Sequence, residues 1–170
     1  MSGKLKPFTS ASRRKFIKNS SIAAAGFFIV PRHVLGKGHI APSDKLNIAG
    51  IGVGGKGRGD LASFAKSPNV NIVALVDVDD RQAEESRKSF PKAKYYKDFR
   101  EMLNKEKNNI DACSVSTPDH THAVATLAAM HLGKHVYTQK PLTHDIYEAR
   151  ILAQAAKKYK VITQMGNQGG

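Results

Sequence analysis

Three glycines at G-x-G-x-x-G spacing, Gly52, Gly54 and Gly57, lie in the run Gly52-Val53-Gly54-Gly55-Lys56-Gly57, directly after the apolar segment 46–51. Glycine at such spacing serves three ends: a tight turn, close approach of backbone N–H groups to a pyrophosphate, and tight packing of the following helix on the strand. The anion then sits at the positive end of a helix expected to begin near Gly57. A second apolar run, Ile72–Val76, ends at Asp77, 20 residues after Gly57. A carboxylate at the end of a second strand accepts hydrogen bonds from adenosine ribose hydroxyls. The spacing therefore predicts a dinucleotide site in which Gly52, Gly54, Gly55, Gly57 and Asp77 hold the cofactor. Asp77 repels a 2′-phosphate, so NAD is expected over NADP, with Lys56, Arg58 and Arg81 near enough in sequence to soften the preference. Gly50, Gly52 and Gly55 offer the same spacing in another frame, and Gly52-Gly54-Gly57 leaves the fuller strand. Asp77, Asp79 and Asp80 also suit the start of the next helix.

Two further polar segments follow apolar runs. Thr117-Pro118-Asp119-His120-Thr121-His122 comes after 110–116, and Gln139-Lys140-Pro141 comes after 135–138. Loops beyond the carboxyl ends of parallel strands line the ligand crevice, which makes both segments candidates for cofactor contact. A lysine beside a cationic nicotinamide ring is suited to proton transfer at a substrate hydroxyl. His120 and His122 are two residues apart, a poor spacing for two ligands on one helix face, so no metal site is expected. The single cysteine, Cys113, lies in an apolar run and reads as core filler; alone it forms neither an internal disulfide nor a cysteine-based zinc site.

The elements that must position these residues follow from periodicity. From Leu46 onward short apolar runs alternate with amphipathic stretches, the pattern of βαβ units. Strands are expected at 46–52, 71–76, 93–96, 110–116, 135–138 and 161–165, and helices at about 57–66, 80–89, 98–106, 120–132 and 144–159. Continuous apolar strands such as Ile72–Val76 predict burial on both faces, hence an α/β fold with a doubly wound, mainly parallel Rossmann-type sheet. The fourth helix is the clearest, with Val124, Leu127, Ala128 and Leu132 at helical spacing, Asp119 suited to its start and Gly133 to its end.

The 170 residues allow one domain of ordinary size. Their net charge of +13 suggests nucleic acid until it is divided along the chain. Lys4, Lys6, Arg13, Arg14, Lys15, Lys18, Arg32 and Lys37 fall within residues 1–40, which contain no acid. The remaining charge is scattered as on a solvated surface, so no nucleic-acid partner is expected. Ser12-Arg13-Arg14-Lys15-Phe16-Ile17-Lys18, followed by the apolar run 22–30, resembles a twin-arginine export signal. That run is too short to span a bilayer. The expectation is an exported, periplasmic protein that meets the twin-arginine machinery, with residues 1–40 as signal and linker and 44–166 as the cofactor-binding domain.

Taken together, Gly52–Gly57, Asp77, Ser116-Thr117-Pro118-Asp119-His120-Thr121-His122 and Gly133-Lys134-His135-Val136-Tyr137-Thr138-Gln139-Lys140-Pro141-Leu142 resemble the Gfo/Idh/MocA family of NAD(P)-dependent oxidoreductases. The last two segments are similar to the family's TPxxxH and GKHV…EKP segments, and the resemblance covers about residues 44–170. It implies that the glycine turn binds pyrophosphate, that Asp77 binds adenosine ribose, and that Thr117, Pro118 and His122 lie along the cofactor cleft with Gln139 beside them. It also implies that Lys140 contacts the cofactor and orients or helps deprotonate a sugar or polyol hydroxyl. Gln139 stands where the family has Glu, which removes a carboxylate partner expected for Lys140. Family members continue into a second α/β domain that carries the substrate pocket. Residues 167–170 are read as the start of the crossover to it, and the 170 residues by themselves are expected to be inactive. An NAD-dependent, redox-assisted glycoside hydrolase is the alternative within the family, and a non-catalytic nucleotide-binding remnant is the reading if the chain is whole. Self-association is one way to cover the face that a second domain would meet.

Overall fold

The structure, a computed structural model, describes residues 44–168. The twin-arginine segment, the apolar run 22–30 and Gly169-Gly170 lie outside the described residues. In chain order the elements are β1 (Leu46–Ile51), α1 (Gly55–Phe64), β2 (Val70–Val76), α2 (Asp80–Ser89), β3 (Lys94–Tyr96), α3 (Phe99–Glu106), β4 (Ala112–Val115), α4 (Asp119–His131), β5 (His135–Gln139), α5 (Ile146–Tyr159) and β6 (Thr163–Gly166). All strand pairings are parallel, and the six-stranded sheet runs β3-β2-β1-β4-β5-β6. This is the doubly wound order expected from the alternating pattern. Its switch point lies between β1 and β4, where the chain, having run outward to β3, crosses back to the other side.

Side chains alternate across the strands and feed two cores. On one face Ile48, Ile72 and Leu75 pack with Val53, Leu61 of α1 and Ala83 of α2. On the other, Ala49, Ile51, Ala74, Val76, Cys113, Val115 and Val136 meet Met102 and Leu103 of α3, Ala129 and Met130 of α4, and Leu152 of α5. Cys113 is 1% exposed, and burial pushes its thiol up to about 12, so it is core filler held as the neutral thiol.

Helix ends differ from the sequence expectation where backbone does the work of side chains. The first helix begins at Gly55, two residues before the expected start. Its opening turn is glycine, which carries no apolar pattern to read. α4 starts at Asp119 with Pro118 at its N-cap, so Asp119 sits inside the helix and accepts from the His120 N–H at 2.8 Å. The other helices are capped by aspartates: Asp79, Asp98 and Asp145 accept from Arg81, Arg100 and Glu148 N–H groups at 3.0, 2.8 and 2.8 Å.

Candidate cofactor site

The turn leaving β1 is held by contacts that only glycine allows. Gly52 has φ +76°, and a Cβ there would lie 2.9 Å from the backbone of Ser116. Its N–H donates to the Val76 carbonyl at 2.8 Å, which ties the turn to β2. At Gly57 a Cβ would fall 1.9 Å from the Gly52 carbonyl oxygen, so α1 packs on the turn at this position. Gly54 is the N-cap of α1, and a Cβ there would crowd Gln82 at 2.7 Å. Gly52 thus makes the tight turn and Gly57 the close approach of α1 to it, Gly54 makes room for Gln82 of α2, and Gly55 (φ +44°) opens the helix with free space beside it.

Asp77, half-buried at the end of β2, completes this arrangement. One carboxylate oxygen accepts from the Val53 and Gly54 N–H groups at 3.0 and 3.1 Å, and the other accepts from the Asp79 N–H at 3.0 Å. A carboxylate offers about four lone-pair sites, so these three bonds leave room for a ribose hydroxyl. Capping of α2 falls to Asp79, whose carboxyl the Arg81 guanidinium holds below the usual range.

A cleft of about 520 Å³ opens at the switch point, lined by Gly52, Gly54, Asp77, Thr117, Pro118, Phe99 and Arg100 among others. It brings together the β1 turn, the end of β2 and the loop after β4, which are far apart in sequence. The N-termini of α1 and α4, at Gly54 and Pro118, both border it, and neither carries a side-chain cap. Their first N–H groups and the positive helix ends suit an anion. Thr117 Oγ1 is buried without a hydrogen-bond partner among the described residues. With the Gly52 and Gly54 N–H groups engaged by Val76 and Asp77, it is the uncapped starts of α1 and α4 that fit a nucleotide diphosphate.

Four cations near the cleft are engaged by acids, whereas Arg58 of α1 has no ion pair among the described residues. Arg81 is bound to Asp79 at 3.0 Å, Lys56 to Asp60 at 2.9 Å and Lys97 to Asp80 at 2.6 Å, and Arg100 pairs with Asp98 at 3.3 Å. The Lys97 ammonium and the Tyr95 hydroxyl hold the Asp80 carboxyl below its ordinary range, and burial with the Asp80 contact pushes the Tyr95 hydroxyl up to about 12.

The remaining expected residues lie around the cleft. His122 is 1% exposed, with Nε2 2.7 Å from the Thr117 carbonyl oxygen and Nδ1 2.7 Å from that of Pro141. Expected along the cleft, His122 lies buried behind its wall, touching it through the Thr117 carbonyl and joining the loops after β4 and β5. Lys140 is exposed at the end of β5, one strand beyond the cleft wall. Gln139 is 4% exposed and turns its amide inward, donating to Asp60 at 2.8 Å while its oxygen accepts from the Lys140 N–H at 3.2 Å. The residue in place of the family's Glu is therefore directed at Asp60. Sequence reasoning passed over Asp60. Its signal was its position three residues after Gly57, on the helix face that the glycine contact turns toward the sheet.

The fold and the turn define a dinucleotide-binding domain of Rossmann type. Residues 46–167 match the family described as "Oxidoreductase family, NAD-binding Rossmann fold" (GFO_IDH_MocA), and the chain belongs to that Gfo/Idh/MocA family. It is 27% identical over 86% of its length to a glycosyl hydrolase family 109 protein of Shewanella pealeana, covering 37% of that protein. It is 28% identical over 68% of its length to the glucose-6-phosphate 3-dehydrogenase of Bacillus subtilis, covering 32% of it. Among solved structures it is similar to GenD2 from gentamicin A biosynthesis in complex with NAD (26% identity, TM-score 0.68, 82% of this chain and 37% of that one). It is likewise similar to myo-inositol 2-dehydrogenase of Lactobacillus plantarum (30% identity, TM-score 0.66, 72% and 36%). The chain thus spans about a third of the length of these relatives. It is an NAD-binding oxidoreductase domain related to sugar and polyol dehydrogenases.

Proposed function

We propose that the chain is the cofactor-binding part of an exported oxidoreductase that uses NAD, in preference to NADP, to oxidise a sugar or polyol hydroxyl or reduce the matching carbonyl. The observation that carries the cofactor choice is Asp77, whose carboxylate faces the cleft from the end of β2. A 2′-phosphate beside it meets like charge, and Lys56 and Arg81 are drawn away to Asp60 and Asp79. In this reading the α1 N-terminus takes the pyrophosphate, Asp77 the adenosine ribose, and Thr117 and Pro118 the wall of the cleft. Bound NAD supplies the hydride acceptor. Lys140, at the rim beyond Gln139, orients the substrate hydroxyl and takes up its proton. A second α/β domain after residue 166 provides the substrate pocket, and residues 1–40 address the protein through the twin-arginine route to the periplasm. Without that second domain, self-association covers the face that it would meet.

The test is calorimetric titration of the 170-residue chain with NAD. Binding is expected, and Asp77→Ala is expected to weaken it by roughly 1–3 kcal/mol, the scale of hydrogen bonds to a charged group. A folded sample that takes up no NAD overturns the site. A second reading, a glycoside hydrolase that oxidises its substrate transiently with bound NAD, is favoured by similarity to a protein named α-N-acetylgalactosaminidase from Shewanella oneidensis (29% identity, 39% of its length covered). In the longer protein, release of free sugar without accumulating NADH supports it, whereas NADH production in step with substrate loss supports the dehydrogenase.

A further inference from the structure

On α1, facing the carboxyl ends of β4 and β5, a buried carboxylate is surrounded by donors. Asp60 is 5% exposed. One of its oxygens accepts from Ser116 Oγ at 2.9 Å and from Gln139 Nε2 at 2.8 Å, and the other faces Lys56 Nζ at 2.9 Å. A carboxylate can only accept, so the NH₂ end of the Gln139 amide must face Asp60. The amide oxygen is thereby turned to the Lys140 N–H, 3.2 Å away. The Tyr137 hydroxyl lies 3.4 Å from the same NH₂ group, and Gly166 of β6 keeps the space: a Cβ there would stand 2.5 Å from that hydroxyl and 2.9 Å from Gln139 Nε2.

We infer that Asp60 is a positioning residue for Lys140: it fixes the polarity of the Gln139 amide, which holds the backbone of Lys140. The inference rests on the reading of Lys140 as the substrate-side lysine. It also accounts for the amide at position 139. With Asp60 in place, a glutamate there would set two carboxylates against each other at hydrogen-bond distance in a buried site, which forces one of them to hold a proton. An amide alone both donates to Asp60 and accepts from Lys140. The pair is thus read as a matched set, an acid on α1 with an amide on β5, and the matching alternative is an amide at position 60 with an acid at position 139.

The experiment compares Asp60→Asn, Gln139→Glu and the double variant in the full chain, by thermal midpoint from pH 5 to 8, NAD titration, and the ¹H–¹⁵N resonance of Lys140. Lys56 from α1 and Tyr137 from β5, the titratable groups that face the pair, are the same in every variant. Gln139→Glu is expected to lower the midpoint by about 5 °C or more at pH 8 and by less at pH 5. Its folded pair binds a proton more tightly than the unfolded chain does, so stability is kept at low pH and lost as pH rises. The double variant is expected to recover most of that loss and to flatten the pH dependence. In it the amide introduced on α1 donates to the carboxylate introduced on β5, which still accepts from the Lys140 N–H. Asp60→Asn alone is expected to shift the Lys140 resonance, and that arm decides the matter if Gln139→Glu fails to fold. Additive single effects, a Gln139→Glu profile parallel to the parent, or an unmoved Lys140 resonance in Asp60→Asn overturns the inference. Loss of NAD binding in the parent chain bears on the cofactor reading alone and leaves the Asp60 result standing.

Discussion

Gly57 and Gly59 sit two residues apart in the same helix and face opposite constraints. At Gly57 a Cβ has the Gly52 carbonyl oxygen 1.9 Å away, whereas at Gly59 it meets nothing within 4 Å. Gly57→Ala must therefore push α1 off the turn, at an expected cost of roughly 2–4 kcal/mol together with loss of NAD binding. Gly59→Ala removes backbone freedom from a helix interior and is expected to gain up to about 1 kcal/mol. Denaturant unfolding of the two variants checks the contrast, and equal effects would remove the packing argument for the turn. At this scale the glycine frame and Asp77 were legible because motif spacing reports backbone geometry directly. The contacts of Asp60 and His122 were not, because each depends on a loop that is remote in sequence: Gln139 and Ser116 for one, Pro141 for the other.

Elements are joined by a second buried acid, this one away from the cleft. Glu106, near the end of α3, accepts from Lys94 and Tyr96 of β3 at 2.7 Å each and from Asn109 at 2.9 Å. The Lys94 ammonium leads, with Asn109 and Tyr96 adding, and together they hold the carboxyl down to about 2; the same contact pushes the Tyr96 hydroxyl up to about 12. A carboxyl with a lowered folded pKa contributes stability that is present above its unfolded value and is lost as pH falls toward 2. The Lys94 end is 63% exposed, so screening reduces the contribution to about 1 kcal/mol. Glu106→Gln is expected to flatten the acid limb of a stability–pH profile between about pH 5 and pH 2; an unchanged limb would mean that the carboxylate contributes nothing across the α3–β3 junction. The strands and helices themselves were readable from period alone, since burial on both faces writes continuous apolar runs. Helix starts were less so at α1 and α4, where glycine and proline replace the side-chain caps that mark α2, α3 and α5.

At the scale of the whole molecule, the sheet order carries the consequence that matters for cofactor choice. Only the β3-β2-β1-β4 arrangement sets the end of β2 beside the turn after β1 and opposite the loop after β4, so Asp77, the α1 N-terminus and Thr117 share one cleft. A ligand that binds this assembled cleft, and not the unfolded chain, raises stability by mass action: about 2.7 kcal/mol at one hundred times its Kd. For a domain of this size that corresponds to a rise of roughly 10 °C in the thermal midpoint. NADP differs from NAD by one phosphate, which the proposed binding mode sets beside the Asp77 carboxylate, with Arg81 tied to Asp79. At equal concentration NADP is therefore expected to raise the midpoint less than NAD, and Asp77→Ala is expected to narrow the gap by weakening NAD. Because both dinucleotides share the pyrophosphate and nicotinamide contacts, the difference isolates the ribose end of the cleft. Equal shifts in the parent chain would assign the preference to groups other than Asp77, with Lys97 and Arg100 at the cleft wall the cations to exchange next.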